Sequence, residues 1–158
     1  MVKINTKNMP EWMRVFSLVF FSLLINPVLA IDNPDASDLI GEFELREQTF
    51  LKKINNPRNG SRDYLIAYDN YQKFLDDEVN KAYHLVKSRL LAEQQQKLIH
   101  SQCNWIKFRD AEFELIENTW THQEFGSSAS MSRGSYRCAI IRSRVLQLLH
   151  YAKNYSGN

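Results

Sequence analysis

Two neighbouring charges and two acids upstream of them offer the most chemistry in this chain. Arg109 and Asp110 are adjacent, and Asp77 and Glu78 lie on an earlier apolar-periodic segment. Paired carboxylates are what a glycosidase uses, one to protonate the leaving oxygen and the other to attack or to activate water. The same residues suit a structural task, because an unpaired buried charge is very costly and an inward arginine needs a carboxylate from another helix. Spacing shows no groove with stacking aromatics around them, so the structural reading is preferred, with Asn80 and Tyr83 as further hydrogen-bond partners. On that reading, truncating Arg109 costs roughly 3–5 kcal/mol, the scale for removing half of a buried pair. Trp105 offers a stacking platform, but its three-to-four spacing with neighbouring apolar residues suits a core position better.

Other reagents are sparse. His84, His100, His122 and His150 form no i, i+4 pair and no zinc-spaced cluster with cysteine, so neither a metal nor a cofactor is expected. There is no glycine-rich phosphate loop and no nucleophile elbow. Two cysteines, Cys103 and Cys138, suggest one disulfide if the chain is exported. Register argues the other way. If helices flank residues 121–132 antiparallel, the two cysteines are offset by on the order of 15 Å at helical rise, well beyond the ~7 Å Cα limit for a bridge. Compartment and register disagree, and a thiol count under denaturing conditions decides between them.

The elements that position these groups are helical. Leu98, Gln102, Trp105, Arg109, Glu112 and Ile116 share one helical stripe; Ile99, Cys103, Ile106, Phe113 and Trp120 form the next. Together they make an apolar seam too wide for a surface helix, which predicts that this helix is the centre of the bundle. Upstream, Leu39, Phe43, Phe50 and Ile54 predict a short first helix from about Asp35 to Lys53. Asn55 to Ser61 stops it, with Ser61 as a candidate cap for the next helix. That second helix carries Tyr64, Tyr68, Tyr71, Leu75, Val79, Tyr83, Val86 and Leu90 on one stripe. Propensity alone would continue it to Trp120, a rod near 85 Å long at helical rise that could not bury both halves. A reversal is therefore expected near Ala92 to Gln94. His122 to Met131 reads as an exposed small-residue loop, and about Arg133 to Ala152 as the last helix.

The 158 residues permit one domain with a real core. Five glycines and four prolines are too few for a turn-rich all-β fold. Lys3, Lys7 and Arg14 precede an apolar run from Val15 to Ile25 and then Pro27-Val28-Leu29-Ala30, the pattern of an export signal cut after Ala30. The run is about half the ~20 residues a spanning helix requires, so no stable membrane insertion follows cleavage. The expected organisation is a signal peptide over 1–30, a helix and linker over 31–60, a helical domain over 61–153 and a tail over 154–158. The fold class is all-α: a small antiparallel bundle of three to four helices after a cleaved signal.

Without residues 1–30 the chain carries 17 acids and 17 Lys or Arg, which makes nucleic acid an improbable partner. Acids crowd the first half, and Arg133, Arg137, Arg142, Arg144 and Lys153 crowd the last helix. The plain reading is that the two halves pack against each other; the sharper one is an anionic surface as partner.

Gln102 followed by Trp105, Phe108, Arg109 and Asp110, in the order W-x-x-F-R-D, resembles the signature of the LprI-type lysozyme inhibitor family. Glu78-Val79-Asn80 with Tyr83 and Leu90 is similar to that family's E-M-N-x-x-Y-x-x-L segment, and Cys138 resembles a residue of its last helix. The resemblance covers roughly residues 68 to 152. It implies a periplasmic or secreted, non-catalytic protein that binds lysozyme or another peptidoglycan hydrolase and occludes its cleft. His122, Gln123, Ser127, Ser128 and Ser130 are the expected contact, since exposed loops on rigid scaffolds carry binding. Asp76 and Asp77 supply an acidic face for a basic partner. The family typically has a cysteine where this chain has Phe113, level with Cys138, so the staple that the family implies is broken here. No cysteine follows the cut, unlike in the lipid-anchored members. The alternative is an envelope structural or interaction module without inhibitory activity; oligomeric state is open.

Overall fold

A computed structural model describes residues 38–155. The export signal expected over residues 1–30 lies outside them. Five helices follow: α1 (Leu39–Ile54), α2 (Ser61–Arg89), α3 (Ala92–Thr119), the single turn α4 (His122–Phe125) and α5 (Ser128–Asn154). The all-α expectation holds, with four substantial helices packed together. No helix among the described residues is long and apolar enough to cross a membrane.

Local chemistry sets each boundary. The Asp38 carboxylate accepts the Gly41 amide at 3.0 Å and starts α1. The Asn59 side-chain amide donates to the Lys53 and Ile54 carbonyls at 2.8 and 3.3 Å and closes its end. Gly60, not Ser61, is the cap residue of α2; its amide donates to the Asp63 carboxylate at 2.9 Å. The reversal between α2 and α3 falls at Leu90 and Leu91, both extended. Two glutamines secure it: Gln94 accepts the Leu91 amide at 3.1 Å, and Gln95 donates to the Leu90 carbonyl at 2.9 Å. The polar run Glu93 to Lys97, which breaks the apolar stripe, thus supplies the capping side chains of the following helix.

The centre of the bundle is the α2–α5 pair, and α5 touches every other helix. Cys138 Sγ lies 3.8 Å from the Tyr68 carbonyl, and Arg89 donates to the Ala152 carbonyl, so these two helices run parallel. That follows from two reversals, with α3 returning the chain antiparallel between them. Small residues let the pair close. A methyl group on Gly134 would come within 2.7 Å of Tyr68 Cβ, and Ala67, Ala82, Ala129 and Ala152 are buried. Leu75, Ile141, Val145 and Leu148 fill the core with α1's Phe43, each fully buried apolar side chain worth about 1.5–3 kcal/mol.

The expectation that the Gln102–Phe113 helix is the centre is corrected. On α3 only Leu98 and Ile116 are buried; Ile106, Phe108 and Cys103 are exposed. α3 packs on α5 at the edge. The reason is size: its seam is made of Trp105, Arg109 and Phe113, which hold two backbones apart, whereas the glycine and alanines of α2 and α5 allow close approach.

Candidate functional site

Three carboxylate and guanidinium centres organise the bundle. Glu47 of α1, 1 % exposed, accepts two hydrogen bonds from Arg142 of α5 at 2.7 and 2.9 Å and a third from the Tyr71 hydroxyl of α2. Burial, reinforced by the Glu47 carboxylate, pushes the Tyr71 hydroxyl far above its ordinary range. Glu78 of α2, also buried, accepts Arg46 at 3.3 and 2.6 Å and Lys81 at 2.9 Å. Burial alone would raise its pKa, but those cations prevail and lower it. Arg133 and Arg137 of α5 both close on Glu117 of α3, Arg133 at 2.8 Å. The acidic first half does meet the basic last helix at Glu47–Arg142. Arg133 and Arg137, by contrast, take their acid from α3.

Glu78 therefore does not face Arg109, and the expectation that Arg109 forms a buried ion pair with a carboxylate of another helix is corrected. Arg109 bonds its neighbour Asp110 through Nε at 2.9 Å and a terminal nitrogen at 2.7 Å, and its nearest carboxylate on α2 is Asp76, at 4.0 Å. Asn80 is exposed and Tyr83 half-buried, its ring edge-on to His84 at 5.4 Å. With its side chain 25 % exposed, Arg109 belongs with surface pairs of about 0–1 kcal/mol rather than with the 3–5 kcal/mol expected for a buried pair. Of the two carboxylates considered for hydrolysis, Asp77 and Glu78, the second is unsuited to the role of general acid. A general acid needs a raised pKa, whereas both Glu78 oxygens are engaged by cations.

Trp105 and Arg109 of the signature instead join Phe113 and two arginines of α5 in a ladder along the α3–α5 seam. The Arg144 guanidinium lies 5.7 Å from the Trp105 ring centroid, Arg109 lies 5.4 Å from Trp105 and 5.8 Å from Phe113, and Arg137 lies 5.4 Å from Phe113. Cation and ring alternate through five residues, each contact worth about 0.5–2 kcal/mol depending on desolvation. Gln102 completes the seam by accepting Arg144 at 3.0 and 2.9 Å. Trp105 is thus occupied by arginines and is not an open platform, while Phe108 points outward. Phe113 does sit level with the Arg137–Cys138 turn. Both cysteines are free, Cys103 exposed and Cys138 buried.

The expected loop at His122–Met131 is corrected to a compact corner. Thr121 Oγ1 accepts the Glu124 amide at 3.4 Å and starts α4; Gly126, at φ +57°, ends it; α5 then begins at Ser128, five residues earlier than expected. Its serines turn inward to backbone, Ser128 Oγ donating to the Phe125 carbonyl at 2.7 Å and Ser130 Oγ to that of Ser127 at 3.3 Å. Serine is near neutral in helix, and buried Ala129 anchors the turn on the core. His122, Gln123, Ser127 and Ser128 are exposed, and Ser130 half-buried. Sequence reasoning missed the apolar side chains beside them: Phe125, Met131 and Tyr136 are exposed, and Tyr136 meets Trp120 at 4.8 Å. A cavity of about 270 Å³ joins Ser127, Ser128 and Met131 to Gly60 and Tyr64 at the α1–α2 turn. Of the expected acidic face, Asp77 is exposed and Asp76 half-buried. Burial raises the Asp76 pKa, Arg109 opposes that, and Asp77 adds to it.

Among known proteins, the family model described as "Lysozyme inhibitor LprI" matches residues 55–148, more than half of the chain. No curated protein and no solved structure matches.

Proposed function

The chain belongs to the lysozyme inhibitor LprI family, and from that premise we propose that it is an exported protein that binds a lysozyme-type peptidoglycan hydrolase and occludes its cleft. The contact is the α3–α4–α5 corner, where His122, Gln123, Ser127 and Ser128 surround exposed Phe125 and Met131. The observation that carries the reading is the capped and hydrogen-bonded build of that corner. It is capped by Thr121, turned by Gly126 and anchored by Ala129, and it presents apolar side chains within a polar rim, the anatomy of a protein-binding patch. A pre-ordered patch loses little conformational entropy on docking. Asp77 contributes to encounter with a basic enzyme rather than to the docked contact.

Turbidity clearing of cell walls by several lysozymes, with and without the purified protein, tests the reading. Slowed clearing is expected. Phe125→Ala and Ser128→Arg should each weaken inhibition at least about ten-fold, the effect of losing a hot-spot side chain, with an unchanged melting curve. No inhibition at micromolar excess refutes the inhibitor reading. Clearing by the protein alone replaces it with a hydrolase.

A further inference from the structure

At the end of the bundle far from that corner, α2, α3 and α5 diverge around an open groove of about 810 Å³. The volume lies within the roughly 300–1,000 Å³ of small-molecule sites. Its apolar surface comes from Val86, Leu90, Leu98 and the rings of Tyr151 and Tyr155. The Tyr155 hydroxyl donates to Gln94 at 2.8 Å and ties the end of α5 across to α3, which walls off one side.

Lys97 is the charged side chain that lines the groove, His150 adds an imidazole hydrogen-bonding group, and no Asp or Glu lines it. Lys97 also meets Glu93 at 3.2 Å, an exposed i,i+4 pair of little strength. Ser101, on the groove wall, accepts Arg144 at 3.3 Å. Arg144 is 4 % exposed, and its hydrogen bonds go to Gln102, Gln147 and Ser101, all neutral. A buried guanidinium with neutral partners leaves its field uncancelled, and in a weakly screened site that field favours an anion.

We propose that this groove binds a monomeric long-chain carboxylic acid, its chain against Leu90, Leu98 and Tyr155 and its carboxylate at Lys97, Ser101 and His150. The apolar wall matches the chain, and Lys97 together with the field of Arg144 behind Ser101 selects an anionic head group. The site shares no residue with the corner assigned to the hydrolase, so either assignment can fail alone.

Calorimetric titration of the purified full chain with dodecanoate, below its micelle concentration, is the test. Saturable binding is expected, and dodecyltrimethylammonium, with the same chain and the opposite head charge, should bind at least ten-fold more weakly. Lys97 and the His150 side chain both reach solvent, so the double variant Lys97→Glu/His150→Glu should keep its melting curve and lose dodecanoate affinity at least ten-fold. The head-group comparison needs only the unaltered chain and stands whether or not the variant folds. The proposal is overturned by the absence of saturable binding, by equal affinity for the two head groups, or by association with anionic vesicles without binding of the monomeric acid.

Discussion

Replacing Glu47 by alanine probes how the three-helix core is joined. Its carboxylate holds Arg142 by two hydrogen bonds and receives the Tyr71 hydroxyl, so one side chain links α1, α2 and α5. Breaking one side of a buried pair costs about 3–5 kcal/mol. Two features reduce that here. The Arg142 side chain is 34 % exposed, and Glu44 lies 3.6 Å away to receive part of its charge. The expected loss is therefore about 2–4 kcal/mol, most of it from a stranded Tyr71 hydroxyl and a half-desolvated guanidinium. Urea denaturation reads this as a midpoint shift of about 1–2 M if the slope is near 2 kcal/mol/M. Arg142→Met should cost more than Glu47→Ala, because it leaves the carboxylate, the less exposed partner, without its cation. The double variant Glu47→Met/Arg142→Met should cost less than Arg142→Met alone, since matched apolar residues replace a buried pair cheaply. A single Glu47→Ala loss below about 0.5 kcal/mol, the range of ordinary surface changes, would refute the account of the core.

Thiol titration of the native protein near neutral pH should find one reactive group, exposed Cys103, and two after unfolding. Burial, with Asp76 adding and Arg137 opposing, pushes the Cys138 thiol up to about 12, and the thiolate is the reactive form; no thiols in denaturant would mean a disulfide. Glu78 has a folded pKa below its unfolded value, so its contribution is present above the ordinary glutamate range near ~4.3 and is lost as pH falls through the folded value. Glu78→Gln should thus be less stable than wild type at pH 7, with the gap closing in acid; a gap independent of pH would contradict the pairing. Comparing the two proteins also cancels the opposite contribution of Asp76, whose pKa is raised.

Helix content and order were legible because three-to-four periodicity and turn residues report directly on backbone conformation. The identity of the central helix was not. A wide apolar seam with charges inside marked α3 as the middle, yet the closest backbone approach belongs to α2 and α5, where Gly134 and alanines do the spacing. Residue size at the seam, more than its hydrophobicity, carried that information. Trp105 and Arg109 were rightly placed on one helical face, but Arg109 was expected to be buried against a carboxylate of another helix, whereas aromatic rings flank it. Arginine can be accommodated by aromatic faces as well as by acids, and residue spacing does not say which. The corner at His122–Met131 was located correctly but read as loop, because serines suit caps and turns as well as helix.

One consequence concerns the order of synthesis. Of the described helices α5 emerges last, and each of the others packs on it. Tyr68 waits for Gly134 and Cys138, some seventy residues downstream, and Glu47 waits for a partner 95 positions on. In a half-made chain α1 and α2 can pair through Phe43, Phe50, Tyr71 and Phe74, but the core they share lacks its α5 wall, and nonsense truncation before Val145, which removes the buried Val145, Leu148, Leu149 and Ala152, should yield no stable fragment. A polypeptide whose core stays open until α5 is made remains threadable up to that point.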